Sequence, residues 1–165
     1  MSFGLMVAGF LATTNAGRVA LACRGERPTP RALALALMAG IVLIVVGVVF
    51  ADDLLDALAI SPESFRIAAG LVAGAAGLRT IVWPQPSGPF AAILVTPALA
   101  CLAVSFGADE ATGKVLGAAA IALAVVAIAA AVPPREPAAG LAAQFLAALQ
   151  VVVAVALVIS GIRDV

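Results

Sequence analysis

Thr13-Thr-Asn-Ala-Gly-Arg18 is the densest polar patch inside any long apolar run of this chain. A charge at membrane depth costs several kcal/mol, about 3 on insertion scales, so it normally faces a partner or a wet cavity. Asn15 and Gly17 are poor helix formers, and an Asn side chain can bond nearby backbone. A helix broken here and restarted would offer free N–H groups and a positive dipole end, to which Arg18 adds a permanent cation. That combination favours an anionic group such as a carboxylate. The plainer alternative has Arg18 snorkelling to the interface while the Thr hydroxyls bond their own helix. A second interruption, Thr96-Pro97, sits near the middle of another apolar run. Proline there frees a carbonyl and kinks the helix, although an ordinary kink is an equal reading. Thr13, Thr14, Asn15, Gly17, Arg18, Thr96 and Pro97 are therefore the candidate substrate-binding residues.

Other chemistries are excluded by what is missing. The sequence has no His, which removes His-ligated haem, His metal sites and Ser-His or Cys-His nucleophiles. Lys114, the only lysine, stands beside a helix start and does not suit a buried Schiff base. No carboxylate sits deep in an apolar run, so a carboxylate relay has little support. An enzyme, a metal, a cofactor and a nucleic-acid partner are not expected. Cys23 and Cys101 should lie at different depths as free thiols.

Those residues must be held by apolar elements. Hydrophobic residues make up 64% of the 165 and charged residues 11%, with 41 Ala and 15 Gly. Soluble domains run near 45–50% apolar and about 25% charged, and disorder needs the opposite bias. The composition fits a polytopic, all-α membrane protein lying in a lipid bilayer. Six runs of about 20 residues can each cross the hydrocarbon core: Phe3–Cys23, Arg31–Ala51, Ser64–Trp83, Pro89–Gly107, Gly113–Val132 and Gly140–Ile162. Charged or Pro-rich turns separate them, at Arg24–Pro30, Asp52–Glu63, Trp83–Pro89, Asp109-Glu110 and Pro133–Pro137. The short connections predict consecutive spans as antiparallel neighbours. The start lacks a cationic segment and does not read as a signal peptide. Gly70-Leu-Val-Ala-Gly74 and Gly113-Lys-Val-Leu-Gly117 read as general packing rather than a dimer face, though a homo-oligomer is compatible with them. Gln144 and Gln150 are expected to bond to neighbouring helices.

The whole chain reads as a single transmembrane domain, 1–165, made of two repeats of about 1–83 and 84–165. Shifted by 84 residues, Gly77-Leu-Arg-Thr80 falls on Gly161-Ile-Arg-Asp164, Ala51-Asp52 on Arg135-Glu136 and Thr13 on Pro97. Three spans per half make the halves enter the membrane in opposite directions, the inverted-repeat plan of many secondary transporters. Interrupted helices at matching positions, here spans 1 and 4, then point to a midplane site. Arg24, Arg27, Arg31, Arg79 and Arg135 outnumber Arg66, Lys114 and Arg163 across the two faces, so both termini are predicted outside.

Ala57-Leu-Ala-Ile-Ser-Pro-Glu-Ser-Phe-Arg-Ile-Ala-Ala-Gly-Leu71, continuing to Gly77-Leu-Arg79, resembles the MarC family of bacterial inner-membrane proteins, whose members carry a similar "GISLPAFRIAGG" stretch entering their third helix. Gln150–Ile162 also looks like the family's last helix. The resemblance runs over nearly the whole chain. It departs at Asn15-Ala16-Gly17-Arg18, where the family reads Asn-Pro-Ile-Gly, and at Pro89-Phe-Ala and Thr96-Pro97-Ala98, where the second-half motif loses its Gly residues. Grouping with LysE-like exporters implies a plasma-membrane exporter of small metabolites. Together these readings predict a transporter of a small polar or anionic metabolite, with its site between helices 1 and 4. The competing reading is a non-transporting structural or assembly subunit of a membrane complex, which would have no internal cavity.

Overall fold

The computed structural model describes residues 2–25, 29–83, 93–132 and 136–165. The predicted turn at Pro133–Arg135, most of the Trp83–Pro89 turn and the start of the fourth predicted span lie outside these residues. Among the described residues the chain is helical throughout, with no strand.

Among the described residues, eight helices of eight residues or more follow in chain order: α1 (Phe3–Thr14), α2 (Ala16–Gly25), α3 (Pro30–Val49), α4 (Ala51–Leu58), α5 (Pro62–Val82), α6 (Pro97–Asp109), α7 (Thr112–Ala131) and α8 (Glu136–Asp164). Their starts follow ordinary capping chemistry. Ser2, Thr29, Ser61 and Thr96 each accept a bond from a backbone N–H in the first turn, and Pro30, Pro62 and Pro97 occupy first-turn positions where no N–H is needed. Asp52, Asp53 and Asp56 do not form an open turn as expected. They lie on the exposed side of α4, whose Ala51 and Leu55 are buried.

Five stretches are long and apolar enough to cross a membrane: Phe3–Cys23, which includes the break between α1 and α2, then Pro30–Val49, Pro62–Val82, Thr112–Ala131 and Pro137–Asp164. Pro97–Asp109 is apolar but shorter. The outward faces are apolar as well. Leu35, Met38 and Val42 on α3, Ile128 on α7 and Phe145, Val152 and Ile159 on α8 are all exposed. Such a surface suits acyl chains and not water. The molecule is a polytopic helical membrane protein.

The packing order corrects one expectation. Of the consecutive spans only α5 and α6 pack extensively, and the rest find their main partners elsewhere. Every extensive interface joins a helix from α1–α5 to one from α6–α8, and contacts within either set are slight. α5 and α8 form the largest interface. They run antiparallel, with Gly70 facing the Ala154 carbonyl, Gly77 facing that of Ala147 and Gly161 facing that of Glu63. Small residues let the backbones close in, which sets the partners more strongly than the short turns do. Gly70 and Gly74 are used here inside the monomer, against Ala154 and Val158, whereas Gly113 faces open space. At the centre, Phe10 of α1 meets Phe106 of α6 edge to face, with ring centroids 5.5 Å apart. Gln150 is buried and Gln144 exposed, and neither bonds to another helix among the described residues.

Candidate functional site

The polar patch of the first span does break its helix. Asn15 stands in the left-handed region at φ 43° and serves both neighbours. Its backbone N–H donates to the Leu11 carbonyl, closing α1, while its Oδ1 accepts from the Arg18 N–H at 3.1 Å, capping α2. Its Nδ2 donates to the Ala143 carbonyl of α8 at 3.0 Å. Asparagine is among the few non-glycine residues that tolerate this conformation. The second interruption is also present. Ile93 and Leu94 are helical, Thr96 is extended, and α6 starts at Pro97 with the Leu99 N–H donating to Thr96 Oγ1 at 3.2 Å.

These two interruptions bring only part of the predicted set together. A cavity of 460 Å³ is lined by Arg18, Thr96 and Pro97, together with Arg79, Thr80 and Trp83. The other predicted residues do not line it. Thr13 and Thr14 donate to the Gly9 and Phe10 carbonyls of their own helix, each at 2.7 Å. Asn15 is consumed by the bonds just described. Gly17 is a packing position, since a Cβ there would sit 2.3 Å from the Ala143 nitrogen. The plainer reading therefore holds for the threonines, whereas Arg18 turns inward. Its Nη1 donates to Thr80 Oγ1 at 3.5 Å, and Thr80 Oγ1 donates to the Ala76 carbonyl at 3.0 Å. Arg18 Nε is buried without a partner.

The chemistry of this cavity is cationic. Arg18 comes from α2 and Arg79 from α5, and among the described residues no carboxylate lines it. The first residues of α6 complete the wall, bringing a positive dipole end to the same space. Two guanidinium groups and the Thr96 hydroxyl offer donors for a carboxylate or phosphate, and Trp83, Ile93 and Val72 offer an apolar wall. Arg79, Thr80 and Trp83 were missed because a span end looks like an interface. The available signal was the match of Gly77-Leu-Arg-Thr80 to Gly161-Ile-Arg-Asp164, which marks both as special positions.

A second polar cluster was also missed. Arg66 lies one turn inside α5 and is 6% exposed. It pairs with Asp109, the last residue of α6, and with Asp164 of α8 at 2.5 Å, and it donates to Ser160 Oγ at 2.8 Å. In the sequence these charges served only to orient the chain. Cys23 and Cys101 are free thiols. Among the described residues no cluster of His, Cys, Asp or Glu is arranged to hold a metal. Compared with known proteins, the chain matches no family model, no curated protein and no solved structure.

Proposed function

We propose that the protein is a bacterial inner-membrane transporter of a small anionic metabolite, taken up in the cavity between Arg18 and Arg79. The cavity itself carries this reading. It joins two interrupted helices, holds two arginines from different helices and, among the described residues, is lined by no acid. A purely structural subunit would have no use for an unbalanced cationic space of this size. The apolar wall at Trp83 and Ile93 favours an anion with a small apolar body over a bare inorganic ion.

The scaffold behind the site is two inverted three-helix repeats spanning the membrane six times, with α6 as the outer half of the fourth crossing. Contacts at the α5–α8 interface support it. Gly77 meets Val151 Cγ2 at 2.9 Å and the Ala147 carbonyl at 3.0 Å, while Gly161 meets Ile67 Cγ1 at 2.7 Å and the Glu63 carbonyl at 2.9 Å, distances being from an ideal Cβ. A shift of 84 residues converts the first set into the second, residue by residue. The helix pairings exchange in the same way: α5 with α6 corresponds to α8 with α1 and α2, and α3 with α6 to α7 with α1 and α2. The resemblance of Ala57–Leu71 to the MarC family's third-helix stretch is compatible with this plan. With both termini outside, the Arg18–Arg79 cavity lies toward the cytoplasm, which suits export.

Uptake into proteoliposomes of pooled labelled amino acids, short carboxylates and organic phosphates tests this directly. Wild type should accumulate at least one anion, with Arg18→Ala and Arg79→Ala each lowering the rate by about 10-fold or more, the size expected for a charge-assisted contact. Wild-type vesicles that match empty ones across the whole pool would sink the reading.

A further inference from the structure

The Arg66 cluster sits at the other end of the α5–α8 pair, about 20 Å along α5 from Arg79 at ~1.5 Å of rise per residue. One guanidinium there ties three helices together, α5 to α6 through Asp109 and α5 to α8 through Asp164 and Ser160. A second cavity, of 420 Å³, lies against it, lined by Arg66, Asp109, Ser160, Arg163 and Asp164. The shift of 84 residues carries Ser160, Arg163 and Asp164 onto Ala76, Arg79 and Thr80. All three of those line the Arg18 cavity. The two cavities are thus counterparts at opposite ends of one helix pair. Their charged groups are not matched, however: an acid at 164 stands in place of a threonine at 80, and Arg66 and Asp109 fall on Gln150 and Gly25, while Arg18 falls on Leu102. One end has an ion network drawn across it, and the other has cations without acids.

We propose that Arg66, Asp109 and Asp164 form a breakable latch that shuts the second mouth of the path whose open mouth is the Arg18–Arg79 cavity. What passes through rests on the transport reading above, but the latch itself does not. Three observations support a latch over a staple. The Arg66–Asp109 pair is largely buried while Asp164 is 47% exposed, and a largely buried pair adds little net stability compared with apolar packing, so one kept in so apolar a protein calls for another role. The network is incompletely satisfied, with Arg66 Nε and Asp109 Oδ2 buried and unpartnered. One turn deeper on the same face of α6, Ser105 is 2% exposed and its Oγ also lacks a partner. One unpartnered hydroxyl therefore stands a turn behind the closed pair, the first group to be wetted if the pair opens.

The test reads access rather than transport. Cys23 and Cys101 are replaced by Ala, and a single reporter thiol is introduced by Ser105→Cys, directly behind the latch. A control reporter is introduced by Ala119→Cys, in the α7 core at 3% exposure. Each protein, in proteoliposomes, is treated with a membrane-impermeant methanethiosulfonate, with the latch intact and with Asp109→Asn or Asp164→Asn. Labelling at position 105 should quicken at least about 10-fold when either acid is neutralised, while position 119 stays protected. Unchanged labelling at 105 overturns the latch. Labelling that rises at both positions overturns it too, because the network would then only hold the fold together. No substrate is needed, so this result can fail while uptake succeeds, and the reverse.

Discussion

Asn15 reaches across the sequence to donate its side-chain amide to the Ala143 carbonyl at 3.0 Å, fastening the break between α1 and α2 to the last helix. The break is thus a built feature, in which one residue ends a helix, caps the next and ties both to a third. Asn15→Ala removes a buried hydrogen bond and a cap and forces alanine into a left-handed conformation, at a combined cost of about 3 kcal/mol. Asn15→Gly keeps the backbone freedom and should cost about 1 kcal/mol less. Thermal unfolding in detergent ranks the two, and equal losses would mean that the backbone conformation matters little.

Close packing at Gly17 gives a sharper contrast. A Cβ there collides with the backbone of Ala142 and Ala143, which cannot turn aside as a side chain could. Gly17→Ala should therefore separate α2 from α8 and destabilise by about 3 kcal/mol or more. Gly113 faces open space near the start of α7, so Gly113→Ala should stay within about 1 kcal/mol of wild type, on the stabilising side. Size-exclusion profiles and melting temperatures of the two variants decide it.

The paired glycines of α5 and α8 test the repeat. Gly77 and Gly161 meet equivalent groups at similar distances, so alanine at either should destabilise alike, by about 1–3 kcal/mol. Because the two lie far apart, the double variant should show the sum. A large effect at one and none at the other would argue against equivalent halves.

A carboxylate placed in the cationic cavity should act as a tethered competitor. Thr80 already accepts from Arg18, so Thr80→Asp would neutralise that guanidinium from within. Uptake should fall by about 10-fold or more with the melting temperature unchanged or raised, whereas Thr80→Val should retain most of the rate. Transport that persists in Thr80→Asp would remove Arg18 from the path.

How much of this was legible in the sequence depends on the scale of the interaction involved. Caps, prolines and apolar runs act within a turn or two, so the spans expected from Arg31 and Ser64 begin within two residues of the observed starts at Pro30 and Pro62, whereas Pro97, expected as a kink inside a span from Pro89, begins a helix of its own. The pairing of helices could not, because Gly17, Gly70 and Gly77 show their use only when a partner backbone is found opposite. The site was half legible for the same reason. Arg18 and Thr96 stood out as polar residues in apolar surroundings. Thr13 and Thr14 stood out equally, yet their hydroxyls turn back to carbonyls one turn away. Arg79 and Arg66 looked like ordinary end-of-span charges until the opposing helices gave them neighbours.

The interleaving of the two sets of helices has a consequence for biogenesis. When the ribosome has delivered residues up to Trp83, the helices made so far have almost nothing to pack against, because their partners are still to come. Gly70 and Gly77 must wait in the lipid for α8, which emerges well after them. Assembly is therefore largely post-insertional, with high contact order and a single late step that closes the molecule. A ribosome that stalled before α8 would leave a bundle with open seams, a ready substrate for membrane quality control. Two halves synthesised as separate chains, in contrast, would each carry the surface that the other lacks.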